Sequence, residues 1–285
     1  MNYANELQLK NIVKQALRED IGRGDITTES VIPKNKFVKA VLITREDGVV
    51  CGLNIAAFVF KLKDRNIRFK PQVKDGQRVK RGKVLAQVQG KAQSILTAER
   101  VALNFLSLLS GIATNTRAYV DKVKPYKAKI MDTRKTIPGL RLLEKYAVRI
   151  GGGFNHRLSL DEMVLIKDNH LKVIRGYKRL GSLEKVRRNY QVELEVKNLR
   201  EFKQALKLKP DIIMLDNMSI KDMKKAIQIR NYRLPITDYR LPKLEASGGI
   251  TLKNVRKVAA TGVDMISIGA LTHSVNSVDI SLEII

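Results

Sequence analysis

Short apolar runs alternate regularly with amphipathic stretches from about residue 129 to the C-terminus. Strands that alternate with helices pair in parallel through right-handed crossovers, so this pattern predicts an α/β barrel or a doubly wound sheet. The predicted strands are 129–131, 163–166, 192–194, 212–215, 243–246 and 265–268. The predicted helices are 140–148, 182–189, 198–206, 219–229 and 251–260, with N-caps at Ser182, Asn198, Ser219 and Thr251.

The part of the chain before about residue 115 has a different pattern, in which helices flank short strands and tight glycine turns. It predicts a separate domain with a small hairpin sheet. The predicted strands are 37–44, 49–51 and 67–71, followed by a turn-rich hairpin segment at 75–90. The predicted helices are 6–19 and 94–118, and residues 20–30 are expected to form a polar loop.

Each predicted strand of the second part ends in charged, polar or glycine residues. In α/β barrels the active site lies at the carboxyl ends of the strands, so six such endings in succession predict an enzyme. The residues that follow the strands are Asp132 to Lys135, Lys167 to His170, Glu195, Asp216 and Asn217, Ser247 to Gly249, and Gly269.

Cations and acids would share this edge of the barrel. The cations are Arg134, Lys135, Arg157 and Lys167, and the acids are Glu195 and Asp216. Guanidinium and ammonium groups suit carboxylates and phosphates, which indicates a ligand with several negative charges. The two acids suit Mg²⁺ or sugar hydroxyls, and they could also form ion pairs with the neighbouring cations.

Glycines after the last two strands favour a phosphate site. Ser247, Gly248 and Gly249 precede a predicted helix, and Gly269 follows the next strand. Glycines let backbone N–H groups approach an anion, and this is the phosphate position of many barrels, although Ser-Gly-Gly could also be a simple turn. A further glycine run at 151–153 leads to His156, which could contact a ligand or be a structural histidine with backbone partners.

The net charge of +26, from 54 Lys and Arg against 28 Asp and Glu, raises the question of nucleic-acid binding. The basic residues are spread over predicted helix faces without interleaved aromatics, which favours a lysine-rich surface or attraction of a polyanionic small substrate. No apolar run reaches the about 18 residues of a membrane span. One cysteine, Cys51, and an N-terminus without a secretory signal predict a cytoplasmic protein.

Nine motifs along the chain carry a family resemblance. They are Glu19 to Thr28, Ala98 to Asn104, Ser110 to Thr114, Asp132 to Thr136, Pro138 to Arg141, Glu144 to Val148, Gly151 to Arg157, Leu165 to His170, and Glu245 to Ile250. In this order they resemble the quinolinate phosphoribosyltransferase family along nearly the whole chain. Two positions depart from the family's usual residues, Ile137 and Ile150, and neither is assigned to chemistry.

The resemblance implies an N-terminal α/β sandwich domain (1–114, joined by the C-terminal tail 271–285) and an incomplete α/β barrel (115–270). It implies transfer of the phosphoribosyl group from phosphoribosyl pyrophosphate to quinolinate, with decarboxylation to nicotinate mononucleotide, in the de novo route to NAD. Mg²⁺ would be the cofactor. The chain would form a homodimer, with any higher assembly left open, and would bind neither nucleic acid nor membranes.

The resemblance also implies roles for residues. Quinolinate would contact Thr133, Arg134, His156, Arg157 and Lys167, together with Arg100 of the other subunit. Phosphoribosyl pyrophosphate would contact Lys135, Glu195, Asp216, Ser247, Gly248, Gly249 and Gly269. The catalytic residues would be Lys135, Lys167, Glu195 and Asp216, with Mg²⁺ at the two acids directly or through water. The alternatives are a nicotinate-salvage phosphoribosyltransferase, whose acceptor has one carboxylate and needs fewer cations, and a basic nucleic-acid-binding protein.

Overall fold

The structure is a computed structural model that describes residues 3–177, 180, 183–233 and 241–285. It divides into two compact units. Unit 1 comprises Met1–Arg117, Thr136–Gly152 and Thr272–Ile285, and unit 2 comprises Ala118–Lys135 and Gly153–Leu271. Unit 1 differs in its bounds from the predicted first domain, because it also includes residues 115–117 and 136–152 and leaves residue 271 in unit 2.

The helices and strands are numbered in chain order. The helices are α1 (Tyr3–Ile21), α2 (Ile26–Val31), α3 (Leu53–Lys63), α4 (Ala92–Val123), α5 (Arg141–Ile150), α6 (Asp168–Val173), α7 (Glu184–Arg187), α8 (Leu199–Lys207), α9 (Ile220–Arg233) and α10 (Val255–Ala259). The strands are β1 (Phe37–Thr44), β2 (Gly48–Val49), β3 (Arg68–Pro71), β4 (Arg78–Val79), β5 (Val84–Lys91), β6 (Lys129–Met131), β7 (Met163–Ile166), β8 (Gln191–Val196), β9 (Ile212–Asp216), β10 (Lys243–Ser247), β11 (Met265–Ser267) and β12 (Ile280–Ile284). A 3₁₀ helix covers Gly269–Leu271.

Unit 1 is built on an antiparallel sheet in the order β12-β1-β5-β3, with β2 and β4 as a separate pair. In β5 the glutamines at 87 and 89 are exposed while Ala86 and Val88 are buried, which is the alternation of a sheet with one covered face. Strand β12 brings the C-terminal segment into this sheet beside β1. The small sheet that the glycine turns predict is therefore present.

Unit 2 contains six parallel strands in the order β6-β11-β10-β9-β8-β7. This is the circular order of a barrel with a gap between β6 and β7, whereas a doubly wound sheet reverses its order at a switch point. The strands are buried on both faces, as in β8, where five of the six residues are buried. The prediction of an α/β fold with an open barrel is confirmed.

One predicted loop and two predicted helix N-caps differ from the structure or lie outside its described residues. Residues 26–31 form helix α2 instead of the expected loop, because the Asp25 carboxylate caps the helix by accepting the Thr28 N–H at 2.9 Å. Thr251 does not cap the last helix, which begins after Asn254, and the Thr251 N–H donates to Asn254 Oδ1 at 2.8 Å. The predicted cap Ser182 lies outside the described residues.

Helix α4 is long and apolar enough to cross a membrane by length and composition alone. Of the apolar 18-residue window that meets this test, however, 67% is buried inside the protein. A core helix has this combination of an apolar sequence and buried side chains, so the observation is weak support for a membrane span.

Candidate active site

The carboxyl ends of four strands in unit 2 lie at one level. Asp216 pairs with Ser247, Ser247 with Ser267, and Ser267 with Met131. We call these four residues the strand-end row. The chain leaves each of these strands at this row. The predicted segments that follow β6, β9, β10 and β11 therefore lie at the same edge of the sheet.

Lys167 and Glu195 meet at the neighbouring strands β7 and β8. Ile166 pairs with Leu194, so the residue after each of them lies side by side, and Lys167 Nζ is 3.8 Å from Glu195 Oε2. Burial raises the pKa of Glu195, Lys167 lowers it, and the nearby Asp216 carboxylate raises it again. The predicted pair of acids therefore shares one electrostatic environment with Lys167.

Two arginines approach each other in the same unit. Burial lowers the pKa of Arg157, and the positive charge of Arg134 lowers it further. Arg157 Nη1 donates to the Met163 carbonyl at 2.8 Å, while its buried Nε finds no hydrogen-bond acceptor among the described residues. Two like charges that act on each other, together with the spare Nε–H donor of Arg157, favour an anionic ligand. We call Arg134, Arg157 and Lys167 the acceptor cations.

The segment 247–249, which we call the phosphate loop, has the backbone that an anion site needs. Gly248 and Gly249 have φ angles of +86° and +60°, in the left-handed region that glycine adopts without strain. Asn254 braces the loop, since its Nδ2 donates to the Gly249 carbonyl at 2.9 Å. Asn217, at φ 53°, donates its N–H to the Ser247 carbonyl at 2.8 Å and its Nδ2 to Asp216 Oδ2 at 3.1 Å. The loop is thereby tied to the strand-end row.

His156 lies over two buried carboxylates. Its Nε2 is 3.0 Å from Glu193 Oε2 and 3.5 Å from Glu245 Oε2, and both glutamates are fully buried. Burial lowers the pKa of His156 and so favours the neutral ring, whereas the two carboxylates act in the opposite direction. A second proton would sit on Nδ1, which instead accepts the Arg157 N–H at 2.9 Å. This geometry favours the neutral ring with its proton on Nε2.

Asp132 connects the segment after β6 to the segment at 155–156. Its buried carboxylate accepts the His156 N–H at 2.8 Å and a hydrogen bond from Asn155 Nδ2. In the first segment the Lys135 N–H donates to Thr133 Oγ1 at 3.0 Å. Gly269 begins the 3₁₀ helix that follows β11. The predicted residues Thr133, Arg134, Lys135, His156, Arg157, Lys167, Glu195, Asp216, Ser247, Gly248, Gly249 and Gly269 thus all belong to unit 2.

Arg100 is the predicted site residue that belongs to unit 1. It lies on α4 with an exposed side chain, and among the described residues no hydrogen bond or ion pair engages its guanidinium. Its charge lowers the pKa of the neighbouring Glu99, which burial raises. The side chain is therefore accessible in this unit for a ligand or a second chain.

The sequence interpretation missed several structural residues of the site. Glu193 and Glu245 interrupt buried apolar strands, and Glu193 lies on the same side of β8 as Glu195 because residues two apart share a face. A charged residue within an apolar run is the signal that could have identified them. Asp132 and Asn217 were predicted to follow their strands but were given no role, and Asn254 was not singled out; the partners of all three are visible only in the folded chain.

Two family models match the chain in succession. They are the N-terminal domain of quinolinate phosphoribosyl transferase over residues 25–110 and the C-terminal domain over residues 112–283. The nicotinate-nucleotide pyrophosphorylase (carboxylating) of Mycobacterium leprae is 42% identical over 283 residues, covering 96% of each chain. Quinolinate phosphoribosyltransferase (decarboxylating) 1b of Nicotiana tabacum is 41% identical over 297 residues, covering 97% of this chain and 82% of that protein.

A solved structure gives the same result for the fold. The nicotinate-nucleotide pyrophosphorylase from Francisella tularensis superposes with a TM-score of 0.90 at 41% sequence identity, covering 99% of this chain and 97% of that one. Both family models match in the order of the two domains, and the similarity to these relatives extends along nearly the whole chain. The chain belongs to the quinolinate phosphoribosyl transferase family.

Proposed function

We propose that the strand-end residues of unit 2 carry out the reaction of this family. In that reaction the ring nitrogen of quinolinate displaces pyrophosphate from phosphoribosyl pyrophosphate, and loss of one carboxylate as CO₂ gives nicotinate mononucleotide. The proposal assigns each part of the reaction to a set of residues that the fold brings together.

The approach of Arg134 and Arg157 is the observation that carries the choice of acceptor. Two guanidiniums of like charge suit a ligand with two carboxylates, because each carboxylate can accept charge-assisted hydrogen bonds from one of them. Lys167 adds a third positive charge 3.8 Å from Glu195, next to the acids of the donor site. A dicarboxylate bound at the acceptor cations therefore has its ring close to the ribose.

Glu195 and Asp216 are the residues for the ribose. The bond to pyrophosphate breaks with positive charge growing on the sugar, and two carboxylates stabilise that charge and accept hydrogen bonds from the hydroxyls. Mg²⁺ fits here, because it prefers oxygen ligands and is commonly held by one or two carboxylates together with substrate phosphates. Bound at these acids, it would neutralise charge on the leaving pyrophosphate. Lys135 serves the same leaving group.

The phosphate loop and Gly269 hold the 5-phosphate. Backbone N–H groups exposed by glycines at positive φ form an anion-binding surface that carries no net charge of its own. Fixing the phosphate at one end and the acceptor at the other orients the reacting atoms for attack, which contributes much of the rate enhancement.

Decarboxylation needs no electron-sink cofactor in this scheme. Once its nitrogen is ribosylated the pyridine ring is cationic, so the carbanion left by CO₂ on the adjacent carbon is stabilised by the substrate itself. That carbon then takes a proton from solvent to give nicotinate mononucleotide. The acceptor cations release one carboxylate and keep the other.

We also place the protein in the cytoplasm as a homodimer in which Arg100 reaches the partner's acceptor site, an isologous arrangement that forms both sites together.

The test is to incubate the protein with quinolinate, phosphoribosyl pyrophosphate and Mg²⁺ and to measure nicotinate mononucleotide. We expect product that depends on Mg²⁺, and little product when nicotinate replaces quinolinate. Equal rates with the two acceptors would contradict a site built for two carboxylates, and no product from either would reject the proposed function.

A further inference from the structure

Three side chains in the interior of unit 2 form a buried cluster, defined as His156, Glu193 and Glu245. One ligand atom from each lies within 4.8 Å of the others. Among the described residues, Glu193 Oε1 and both carboxylate oxygens of Glu245 are buried without a hydrogen-bond donor. Burying carboxylates without hydrogen-bond donors costs free energy of folding, which indicates that this cluster has a specific role.

The cluster leads directly to an acceptor cation. Glu193 Oε2 accepts from His156 Nε2 at 3.0 Å, and His156 Nδ1 accepts the backbone N–H of Arg157 at 2.9 Å. Asp132 fixes the His156 backbone from the other side at 2.8 Å. Both ring nitrogens are therefore occupied inside the protein, and the ring connects Glu193 to the backbone from which the Arg157 side chain extends.

This connection requires one tautomer. With the proton on Nε2, the ring donates to Glu193 and accepts from Arg157, so both bonds form. With the proton on Nδ1, the ring would point an N–H at the Arg157 N–H and lose both bonds. A metal ion in the cluster would need the Nε2 lone pair and would drive the proton to Nδ1, so the same geometry disfavours a metal site.

We infer that Glu193 is a positioning residue for the reaction, holding the His156 ring in the Nε2–H tautomer so that the ring anchors Arg157 at the acceptor site. The inference rests on the proposed function, since it takes Arg157 to bind the acceptor. Glu193 touches no substrate in this arrangement; it holds Arg157 through the His156 ring, and its negative charge also acts on the Arg157 guanidinium directly. Glu245 Oε2, 3.5 Å from the same nitrogen, makes no hydrogen bond to the ring and therefore contributes less to the choice of tautomer.

The direct test is ¹⁵N NMR of the imidazole rings. The chain has only three histidines, and the His156 signals are those lost in His156→Gln. We expect one protonated and one unprotonated nitrogen in His156 of the wild-type protein, and a mixture of tautomers in Glu193→Met. Two protonated nitrogens in the wild-type protein, or signals unchanged in Glu193→Met, would overturn the inference whether or not the protein makes nicotinate mononucleotide.

Kinetics separate positioning from general loss of structure. Glu193→Met removes the acceptor at similar volume, and we expect the KM for quinolinate to rise at least about tenfold. The KM for phosphoribosyl pyrophosphate should stay within about twofold. Glu193→Gln keeps an oxygen for the Nε2–H and should restore most of the quinolinate affinity, which a mere packing role would not require. Equal loss in the two variants, or one equivalent of a divalent metal that Glu245→Gln releases, would contradict the inference.

Discussion

A Cβ atom on Gly248 would lie 2.3 Å from Oδ1 of Asn217, far inside the distance at which two such atoms can coexist. The Asn217 side chain packs against the Cα of Gly248 and at the same time donates to Asp216. The Asn217 side chain therefore contacts the phosphate loop and also orients Asp216, the acid that we propose binds the ribose. The close approach accounts for glycine at this position independently of any ligand.

We expect Gly248→Ala to weaken phosphoribosyl pyrophosphate binding by about tenfold or more, because the loop must move away from Asn217. Backbone strain at positive φ adds roughly 1 kcal/mol to the cost. The matched control is Gly82→Ala in unit 1, where φ is +83° but no atom lies within 4 Å of the added Cβ. That variant should lose a little thermal stability and keep its KM for phosphoribosyl pyrophosphate. Equal KM values in both variants would contradict this role of the contact.

Arg157→Ala and Lys167→Ala should each lower kcat/KM for quinolinate roughly ten- to a hundredfold, since a charge-assisted hydrogen bond to a bound carboxylate is worth about 1.5–3 kcal/mol. Lys172→Ala is the control, because Lys172 is an exposed cation five residues from Lys167 that pairs with Asp168. Steady-state kinetics and a thermal melt on each variant distinguish loss of function from loss of fold. Near-wild-type turnover in both site variants would place the acceptor elsewhere.

Asp216→Asn should act mainly on the donor. The carboxylate lies beside Glu195 and raises the pKa of that residue, so replacing it removes a negative charge from the proposed ribose and Mg²⁺ site. We expect apparent affinities for phosphoribosyl pyrophosphate and Mg²⁺ to fall while the KM for quinolinate changes little. Lost quinolinate affinity with unchanged donor affinity would reverse the assignment.

Mixing two inactive variants tests the dimer. If Arg100 acts on the partner's site, a mixed dimer of Arg100→Ala and Lys167→Ala chains has one site with both lesions and one site with neither. Activity should then recover in part when subunits exchange. If exchange is demonstrated and no activity returns, Arg100 acts within its own chain or has no role in the reaction.

Glu144 gives a pH-dependent prediction for stability. Burial raises its pKa to about 7, against the lowering by the Ile137 N–H and by Arg141. The folded state thus binds the proton more tightly than the unfolded chain, and stability falls as the pH rises from about 4.5 through 7. Glu144→Gln should raise Tm by a few degrees at pH 8, with the gain shrinking toward pH 5. A gain that is the same at both pH values would contradict this.

The strand ends were predictable because the parallel strands are short, largely apolar runs followed by polar residues. Lys167 and Asp216 were visible at the ends of β7 and β9, and Glu195 as a charged residue near the end of β8. The packing beneath them was not. Whether Glu193 faces His156 depends on strand register, and whether Asp132 fastens His156 depends on contacts 24 residues apart. Helix α2 was missed for a local reason, since six residues are too few for a periodic pattern and only the cap at Asp25 marks it.

If ribosylation at this site precedes loss of CO₂, quinolinate labelled in the carboxylate that is lost should release its label only during transfer. We expect labelled CO₂ only when phosphoribosyl pyrophosphate and Mg²⁺ are present, in amounts equal to pyrophosphate and nicotinate mononucleotide. Release of CO₂ without phosphoribosyl pyrophosphate, or a pyridine nucleotide that keeps both carboxylates, would contradict it.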